Sequence, residues 1–545
     1  MKNSTYIILL LGIAISAATC KKDFLNRNNP ETISSSDLWS DASLVQLYIN
    51  NIYNDLPGWD YNTYNNIADE ARSNYPGGPN SIILGDWNDT NNPMDIWAGT
   101  YGAIRKCNEF FKNIQTADID SSIKTREIGE VKFLRAFFYF RLVKRYGGVP
   151  LITEAQSLSD SLLIPRNSAD ECFTFIIDEL DAAAERLPAE ADKGRATKGA
   201  ALAIKGRALL FYASPLFNPD HQAQRWKEAA EACRAVMDLH VYSLYPDLKK
   251  LWLDPSNSES IFEVEYHMPE KYHGLDAKVK PLIIANGDAG QCSPLQELVD
   301  AFPMKNGKLI TDPGSGYDPE HPYEGRDDRF YADIAYNGAQ VSGTNGGPLK
   351  TITLRVFRGG RDYDSVPSNT VFNTLTGYFC VKAIDPGNTN YHYGYGSTQP
   401  WIEIRYAEVL LNYAEAQNEA EGPDAGVYAA LNEIRQRAGI TAALPAGLNQ
   451  DEMRKVIRQE RYVELCFENK RYWDLRRWKL ATAYLNDMKY HGVIITKEAD
   501  GHFTYDYQPF DPQPMKFEEK MYLMPIPHSE ILKDPHLKQN PGWPQ

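Results

Sequence analysis

The segment 126–146 is apolar on nearly every side of a helix, and it constrains the fold more than any other part of the chain. Its sequence, REIGEVKFLRAFFYFRLVKRY, is followed by Gly147, Gly148 and Pro150. A helix that is apolar all round has to be covered by neighbours on all sides, and Gly and Pro after the last turn end it. We therefore predict a buried central strut in a largely helical protein.

Amphipathic helices with capping signals are predicted on both sides of this strut. Ser168 and Glu171 form a capping box, Asp41 and Thr197 are typical N-caps, and apolar residues recur at i, i+3, i+4 and i+7 after each of them. The predicted helices begin near 41, 97, 169, 197 and 223, and later ones cover 405–420, 426–438 and 449–469. Such helices need neighbours to cover their apolar faces, which favours stacked helix pairs of the tetratricopeptide kind.

The pattern changes between about 240 and 404. Gly, Pro, Asn, Asp and Ser recur in clusters, with short alternating pieces such as 261–265 between them. This is typical of irregular loops with a few strands. Loops of this length are usually functional.

The N-terminus has the layout of an export signal. Lys2 precedes a short apolar run, 7–15, which is followed by Ala17-Ala18-Thr19-Cys20. The ending is similar to a bacterial lipobox, so we predict a lipoprotein signal peptide over 1–19 and a diacylated Cys20. The alternative is a plain secretory cut with Cys20 incidental. No later run reaches the ~20 apolar residues that a membrane span needs.

Six further cysteines are widely spaced and include no C-x-x-C pair. Four of them sit in apolar helical stretches, so buried free thiols are favoured over disulfides. They are Cys107, Cys172, Cys233, Cys292, Cys380 and Cys466.

The net charge and the absence of known catalytic motifs exclude several classes of function. The chain has 57 Lys and Arg against 72 Asp and Glu, a formal net charge of −15, which argues against nucleic-acid binding. No nucleotide, hydrolase or zinc motif is present, so no cofactor and no metal is predicted. Asp86, Asn88 and Thr90 alternate as in a calcium loop but lack its Gly and distal Glu.

The segment 460–477 concentrates charge. Glu460, Glu464 and Glu468 would repel one another at i, i+4 on a helix unless cations separate them. We expect the arginines of the following segment to do this, in a structural ion-pair network. Catalysis by these acids is the alternative.

Ordered sequence blocks then resemble one family, SusD/RagB, the nutrient-binding lipoproteins of Bacteroidetes. These blocks are WAGTYGAIRKCN (97–108), GEVKFLRAFFYFRLVKRYGGVPLI (129–152), LQELVDAFPMKNGK (295–308), EGRDDRFYADIAYNG (324–338), IRYAEVLLNYAEAQNEA (404–420), ALNEIRQRAG (430–439), RQERYVELCFENKRYWDLRRW (458–478) and YLMPIPHSEILKDPHLKQNPGW (522–543).

The resemblance implies a mainly all-α fold, one SusD-like domain over 20–545. Its scaffold of tetratricopeptide-like helix pairs is expected at about 37–240 and 402–545, with a loop-rich, ligand-facing region at about 241–401. It further implies a non-enzymatic glycan-binding lid, lipid-anchored at Cys20 on the outer membrane and exposed at the cell surface. Such a lid delivers oligosaccharides to a SusC-like TonB-dependent barrel.

A glycan site needs aromatic faces for sugar rings and polar groups for hydroxyls. We chose candidates by chemistry and loop location, because no family motif marks them. The ligand-binding candidates are Trp59, Tyr61, Tyr75, Trp87, Asn88, Tyr272, His273, Tyr391, Tyr393 and Tyr395.

Four alternatives stay open at this point. Loop aromatics could merely anchor their loops to the scaffold, and the Tyr391–Tyr395 loop could meet the barrel instead of the ligand. The ligand could be a peptide or another nutrient. A surface glycoside hydrolase is the last alternative, because two acids at catalytic separation leave no sequence signature.

Four tryptophans lie at helical spacing and are predicted to be core: Trp97, Trp226, Trp473 and Trp478.

Overall fold

The computed structural model describes residues 35–544, apart from 61–62, 74–77, 158, 285–289, 345–346, 364–373 and 389–395. The predicted signal peptide and Cys20 lie outside the described residues.

Helices dominate the described chain. Those before the loop-rich region are α1 (Ser35–Ser40), α2 (Ala42–Tyr53), α3 (Gly78–Ile83), α4 (Trp97–Ile114), α5 (Ser121–Tyr146), α6 (Ala169–Ala184), α7 (Lys198–Ala213) and α8 (Ala223–Met237). The later ones are α9 (Leu275–Val279), α10 (Gln296–Ala301), α11 (Asp328–Asp333), α12 (Tyr406–Glu421), α13 (Ala425–Arg437), α14 (Gln450–Glu464), α15 (Arg471–Arg477), α16 (Ala481–Leu485) and α17 (His528–Lys533). The predicted mainly helical fold is confirmed.

The strands are short and pair antiparallel in twos. They are β1 (Ala71–Arg72), β2 (Ser260–Val264), β3 (Ser293–Pro294), β4 (Ile334–Ala335), β5 (Gln340–Gly343), β6 (Lys350–Thr353), β7 (Phe379–Cys380), β8 (Trp401–Arg405), β9 (His491–Lys497) and β10 (Phe503–Pro509). The pairs are β1–β3, β2–β8, β4–β7, β5–β6 and β9–β10.

The helices pack as one continuous array. In it α4 packs on α5, α5 on α6, α6 on α7 and α7 on α8. Helix α8 then packs on α12, although the loop-rich region separates the two in sequence, and α12 contacts α13 and α14. The loop-rich region is therefore an insertion between two parts of one helical scaffold, and these two parts pack against each other.

Helix α5 is the predicted buried strut. It begins after the N-cap Asp120 and is buried on all sides over most of its length. It ends at Gly147, which has φ 72° and donates its N–H to the Val143 carbonyl at 2.9 Å. This positive φ is easy only for glycine.

The buried cysteines and tryptophans agree with the sequence analysis. All six described cysteines are buried free thiols. Four tryptophans predicted to be core are at most 7% exposed: Trp97, Trp226, Trp473 and Trp478.

The charged segment after α13 needs a correction. The predicted helix over 449–469 is wrong at its C-terminal end, because α14 stops at Glu464 and Phe467 and Asn469 adopt left-handed backbone, with φ 61° and 58°. The turn is fixed from outside the segment, since the Phe467 N–H donates to Glu70 Oε1 at 3.1 Å and the Asn469 N–H to Asn65 Oδ1 at 3.2 Å.

The acids of this segment do form a buried ion-pair network, but its cations come from elsewhere in the chain. Arg329 pairs with Glu460 at 2.5 Å, and Arg405 pairs with Glu464 at 2.7 Å. Arg437 also contacts Glu464. Two arginines of α15 instead pair with other acids, Arg471 with Asp69 at 2.6 Å and Arg477 with Glu415 at 2.5 Å.

Glu127 on α5 yields a pH-dependent prediction. It is fully buried, and neither carboxylate oxygen has a hydrogen-bond partner within the described residues. Burial raises its pKa from 4.5 to about 7, with Glu130 raising it and Arg126 lowering it to smaller extents. Below about pH 4.5 the Glu127 carboxyl is protonated in both the folded and the unfolded state, so its burial as a charge costs nothing. As the pH rises from 4.5 through 7, the unfolded state ionises more readily than the folded state, and the folded state loses stability.

We therefore expect Glu127→Gln to leave the free energy of unfolding unchanged near pH 4.5 and to increase it near pH 8. Urea unfolding at both pH values measures this difference. The exposed Glu185→Gln variant is the control and should show no such pH dependence. An equal effect of Glu127→Gln at both pH values would contradict the argument.

Candidate ligand-binding site

A cavity of 690 Å³, partly open to solvent, lies between the helical array and the start of the loop-rich face. Its walls come from the segments 57–60, 63–64 and 93–96, one face of α5, strand β8 and the turn at 468–470. Clefts of this size are typical of small-ligand sites.

Trp59 supplies an aromatic face at this cavity. Its side chain is half-buried, and its indole N–H donates to the Gln399 carbonyl at 2.9 Å. The ring centroid lies 5.0 Å from that of Trp401 and 5.3 Å from that of Trp252. The indole is thus fixed from behind while part of it remains accessible, as stacking on a sugar ring requires.

The turn that carries Trp59 depends on Gly58. A Cβ on Gly58 would lie 1.6 Å from the Tyr266 hydroxyl, which accepts a hydrogen bond from the Trp59 N–H at 3.3 Å. The Pro57-Gly58 sequence therefore lets the backbone approach Tyr266 closely enough to set the position of the indole.

Strand β8 supplies a charged wall. Trp401 and Glu403 lie on one side of the strand, and the Trp401 indole N–H donates to Glu403 at 3.0 Å. Arg207 contacts both Glu403 and Glu408, at 2.5 and 2.7 Å, and Lys470 lies 3.4 Å from Glu408.

These two acids are held ionised. Burial alone would raise the pKa of Glu403, but Lys470 and Arg207 outweigh it and lower that pKa to about 2. Against the same effect of burial, Arg207 and Lys470 hold the pKa of Glu408 well below its usual range. A glycosidase needs one carboxylic acid with a raised pKa as its proton donor, and neither Glu403 nor Glu408 fits that role.

Of the sequence candidates, His273 lies beside Trp59. It is 9% exposed, and its ring centroid is 5.7 Å from that of Trp59. Burial lowers its pKa to about 4, so the neutral ring donates from Nε2 to the Gln399 carbonyl at 3.0 Å. His273 therefore packs against the Trp59 indole and shares its acceptor, the Gln399 carbonyl. Tyr272 next to it points outward and is 41% exposed.

Trp87 and Asn88 do not line this cavity. Trp87 is 5% exposed and packs on Trp543, with ring centroids 4.9 Å apart, so the packing covers the ring faces that a sugar would need. Asn88 is exposed, and its Oδ1 accepts from the Thr90 N–H at 2.8 Å. The other candidates, Tyr61, Tyr75, Tyr391, Tyr393 and Tyr395, lie outside the described residues.

At the calcium-like spacing of Asp86, Asn88 and Thr90, Asn88 Oδ1 accepts hydrogen bonds from the Thr90 N–H at 2.8 Å and from the Thr90 hydroxyl at 2.7 Å. In the part of the chain that the structure describes, no group of three or more His, Cys, Asp or Glu side chains is arranged to hold a metal ion.

Several residues of the cavity were missed by the sequence reasoning. Trp401 and the α5 residues Arg141, Lys144 and Arg145 line it, whereas all the candidates belong to loops predicted from the sequence. The alternation of Trp401, Glu403 and Arg405 on one side of a strand, and the i, i+3, i+4 spacing of the three cations, were available signals.

A second cavity of 560 Å³ lies within the loop-rich region. Its walls include Tyr331, Tyr336, Val341 and Ile384. None of the sequence candidates among the described residues lines it.

Comparison with known proteins decides the family. The model described as the SusD family matches residues 258–543, more than half of the chain. The chain belongs to the SusD family. A second model, described as "Starch-binding associating with outer membrane", matches residues 23–210 of this SusD-family chain. The family is thus one of carbohydrate-binding proteins associated with the outer membrane.

Individual relatives agree over nearly the whole length. A SusD-like protein of Formosa agariphila is 25% identical over 496 residues, covering 88% of this chain and 85% of the relative. A crystal structure of a SusD-like protein from Bacteroides fragilis is 32% identical with a TM-score of 0.80, covering 95% of this chain and 100% of that one. A SusD-like carbohydrate binding protein from the same species shares the fold, at 24% identity and a TM-score of 0.76, over 92% of this chain and 100% of that one.

Among the described residues of this SusD-family protein, we find no helix that combines the length and the apolar character needed to cross a membrane.

Proposed function

We propose that this protein is a non-catalytic glycan-binding lipoprotein of the outer membrane. In this proposal, Cys20 carries the lipid anchor, the protein faces the cell exterior, and bound oligosaccharide passes to a SusC-like TonB-dependent barrel. The family descriptions, which join starch binding to outer-membrane association, support this assignment.

The observation that carries the proposal is the rigidly backed, half-buried indole of Trp59 at the wall of a 690 Å³ cavity. Aromatic faces of this kind bind the C–H side of sugar rings. Charged groups on the same walls supply hydrogen bonds for hydroxyls. The ionised state of Glu403 and Glu408 favours binding over hydrolysis.

The test is a binding screen of the soluble protein, residues 21–545, against plant, host and microbial polysaccharides, with reducing ends measured in the same wells. Retention of a glycan class without product is the expected result. Binding of peptides alone would replace glycan by peptide as the ligand, and released sugar would overturn the non-catalytic assignment.

For the glycan retained in that screen, we expect Trp59→Ala to weaken binding tenfold or more, because truncating an aromatic anchor costs about 2 kcal/mol. Trp59→Phe should retain most of the affinity, since it keeps an aromatic face. Isothermal titration calorimetry measures both.

Tyr507→Ala serves as the matched control, because Tyr507 is 40% exposed on β10 and does not line the cavity. Circular dichroism should show the same fold for all three variants. Equal affinities of Trp59→Ala and Tyr507→Ala would remove Trp59 from the site.

A further inference from the structure

Helix α5 presents three cations to the 690 Å³ cavity. Arg141, Lys144 and Arg145 lie at i, i+3 and i+4, so they share one face of the helix. Phe137, one turn before Arg141, lines the cavity as well. This face of α5 is therefore part of the cavity wall.

None of the three has an ion-pair partner among the residues that the structure describes. Arg145 donates to the Tyr64 hydroxyl at 2.6 Å and to the Arg141 carbonyl at 3.0 Å, while its Nε is buried without a partner. Lys144 Nζ and Arg145 Cζ each lie 4.6 Å from the ring centroid of Trp473. The indole and a phenol hydroxyl hold these cations in place, but they do not neutralise them.

The nearby carboxylates have other ion-pair partners. Against the effect of burial, Glu403 raises the pKa values of Arg141 and Lys144, but its own ion pair is with Arg207. Glu408 is paired with Arg207 and Lys470. Asp95, at the rim, accepts hydrogen bonds from the Tyr146 hydroxyl at 2.5 Å and from the Trp97 N–H at 2.9 Å. Asp60 also lines the cavity and accepts from the Thr63 N–H at 2.8 Å.

The position of the α5 cations at the cavity lowers the pKa values of two of them. Burial and the neighbouring Arg145 lower the pKa of Arg141 to about 10. Burial and Arg145 also hold the pKa of Lys144 well below its usual range. A buried charge without a partner is unfavourable, and an anion entering the cavity removes that penalty.

We propose that Arg141, Lys144 and Arg145 form an anion-binding subsite, and that the ligand is an acidic saccharide bearing a carboxylate or a sulfate. This inference rests on the proposed glycan-binding function and names its substrate class. Arginine pairs with both groups through parallel hydrogen bonds, and the Trp59 indole of the same cavity provides a face for the sugar ring.

The ligand test needs no variant. The soluble protein is titrated with galacturonate, glucuronate and mannuronate oligosaccharides and with their methyl esters, which keep the sugar and remove the charge. Sulfated galactan oligosaccharides, neutral gluco-oligosaccharides and a tetrapeptide with a free C-terminus complete the panel. We expect an acidic saccharide to bind at least tenfold more tightly than its uncharged counterpart, and the uronate and sulfate arms identify the anion.

The variant test separates a ligand role from a structural one. Lys144→Met and Arg141→Gln should each weaken binding of the acidic saccharide tenfold or more. Neither should lower the thermal unfolding temperature in the absence of ligand, because each removes a cation that has no ion-pair partner. Lys112→Gln, an exposed site on α4, is the control and should change neither property.

The outcomes distinguish the inference from the function beneath it. Preference for neutral glycans, or acidic binding that both variants leave intact, overturns the anion subsite and leaves the glycan-binding function standing. Binding of the tetrapeptide alone, or of no saccharide at all, overturns both.

Discussion

Replacing Gly148 by alanine is expected to destabilise the protein by more than about 3 kcal/mol. Gly148 follows α5, and a Cβ there would lie 2.0 Å from the Asn167 carbonyl oxygen and 2.9 Å from the Ser168 carbonyl carbon. Both atoms belong to the backbone at the start of α6, where the capping box holds the chain. The clash therefore has to move one of two packed helices.

Gly102→Ala is the matched control for that experiment. Gly102 lies within α4, and a Cβ there meets nothing within 4 Å. Alanine should stabilise this exposed helical position by up to about 1 kcal/mol. Urea unfolding followed by circular dichroism measures both variants. A Gly148→Ala loss below about 1 kcal/mol would mean that α6 can move away from α5 without cost.

The same stretch of chain explains why so much of the fold could be predicted. An apolar run, a Gly-Gly stop and the Ser168–Glu171 capping box are local signals that lie within a few residues of the structure they determine. The structure has the helix end and the capping box where the sequence places them. Helix positions follow from such signals without knowledge of the neighbours.

The end of α14 could not be predicted in this way. Its turn depends on acceptors at Asn65 and Glu70, about four hundred residues earlier in the chain. The local sequence predicts a helix that continues beyond Glu464, so the helix is ended by tertiary contacts and not by a local signal. The pairing of α8 with α12 across the loop-rich region is equally invisible to local patterns.

The candidate site was predicted less well, for a related reason. Loop location and residue type selected both Trp59 and Trp87, yet Trp59 lines a cavity and Trp87 packs against Trp543 near the other end of the chain. No local feature of the two loops separates these outcomes. The α5 cations were overlooked because they belong to the strut that also forms the core.

The largest electrostatic effect is expected from Arg405→Met. Arg405 is 2% exposed and ends β8, the strand that brings Trp401 and Glu403 to the cavity. Its guanidinium contacts Glu259 at 2.5 Å, Glu464 at 2.7 Å and Glu468 at 2.6 Å. Removing it leaves buried carboxylates without their shared cation, which costs about 3–5 kcal/mol.

The pH dependence of this loss follows from the acids. Burial opposes ionisation of Glu464, but Arg437, Arg405 and Arg329 hold its pKa well below 4.5. Against the same effect of burial, Arg405 and Lys382 lower the pKa of Glu468. A lowered carboxyl pKa contributes stability above about pH 4.5 that is lost as the pH falls. Arg405→Met should therefore narrow the difference in stability between pH 7 and pH 3.

Arg454→Met is the matched control, because Arg454 also contacts two acids, Glu419 and Asp451, but its side chain is 25% exposed. An ion pair in contact with solvent is worth about 1 kcal/mol or less. Urea unfolding of both variants at pH 7 and pH 3 compares them. If Arg405→Met and Arg454→Met lower the free energy of unfolding equally, burial does not determine how much the Arg405 ion pairs stabilise the fold. If only Arg405→Met loses several kcal/mol, the buried Arg405 cation holds Glu259, Glu464 and Glu468 together at the end of β8, the strand that walls the cavity.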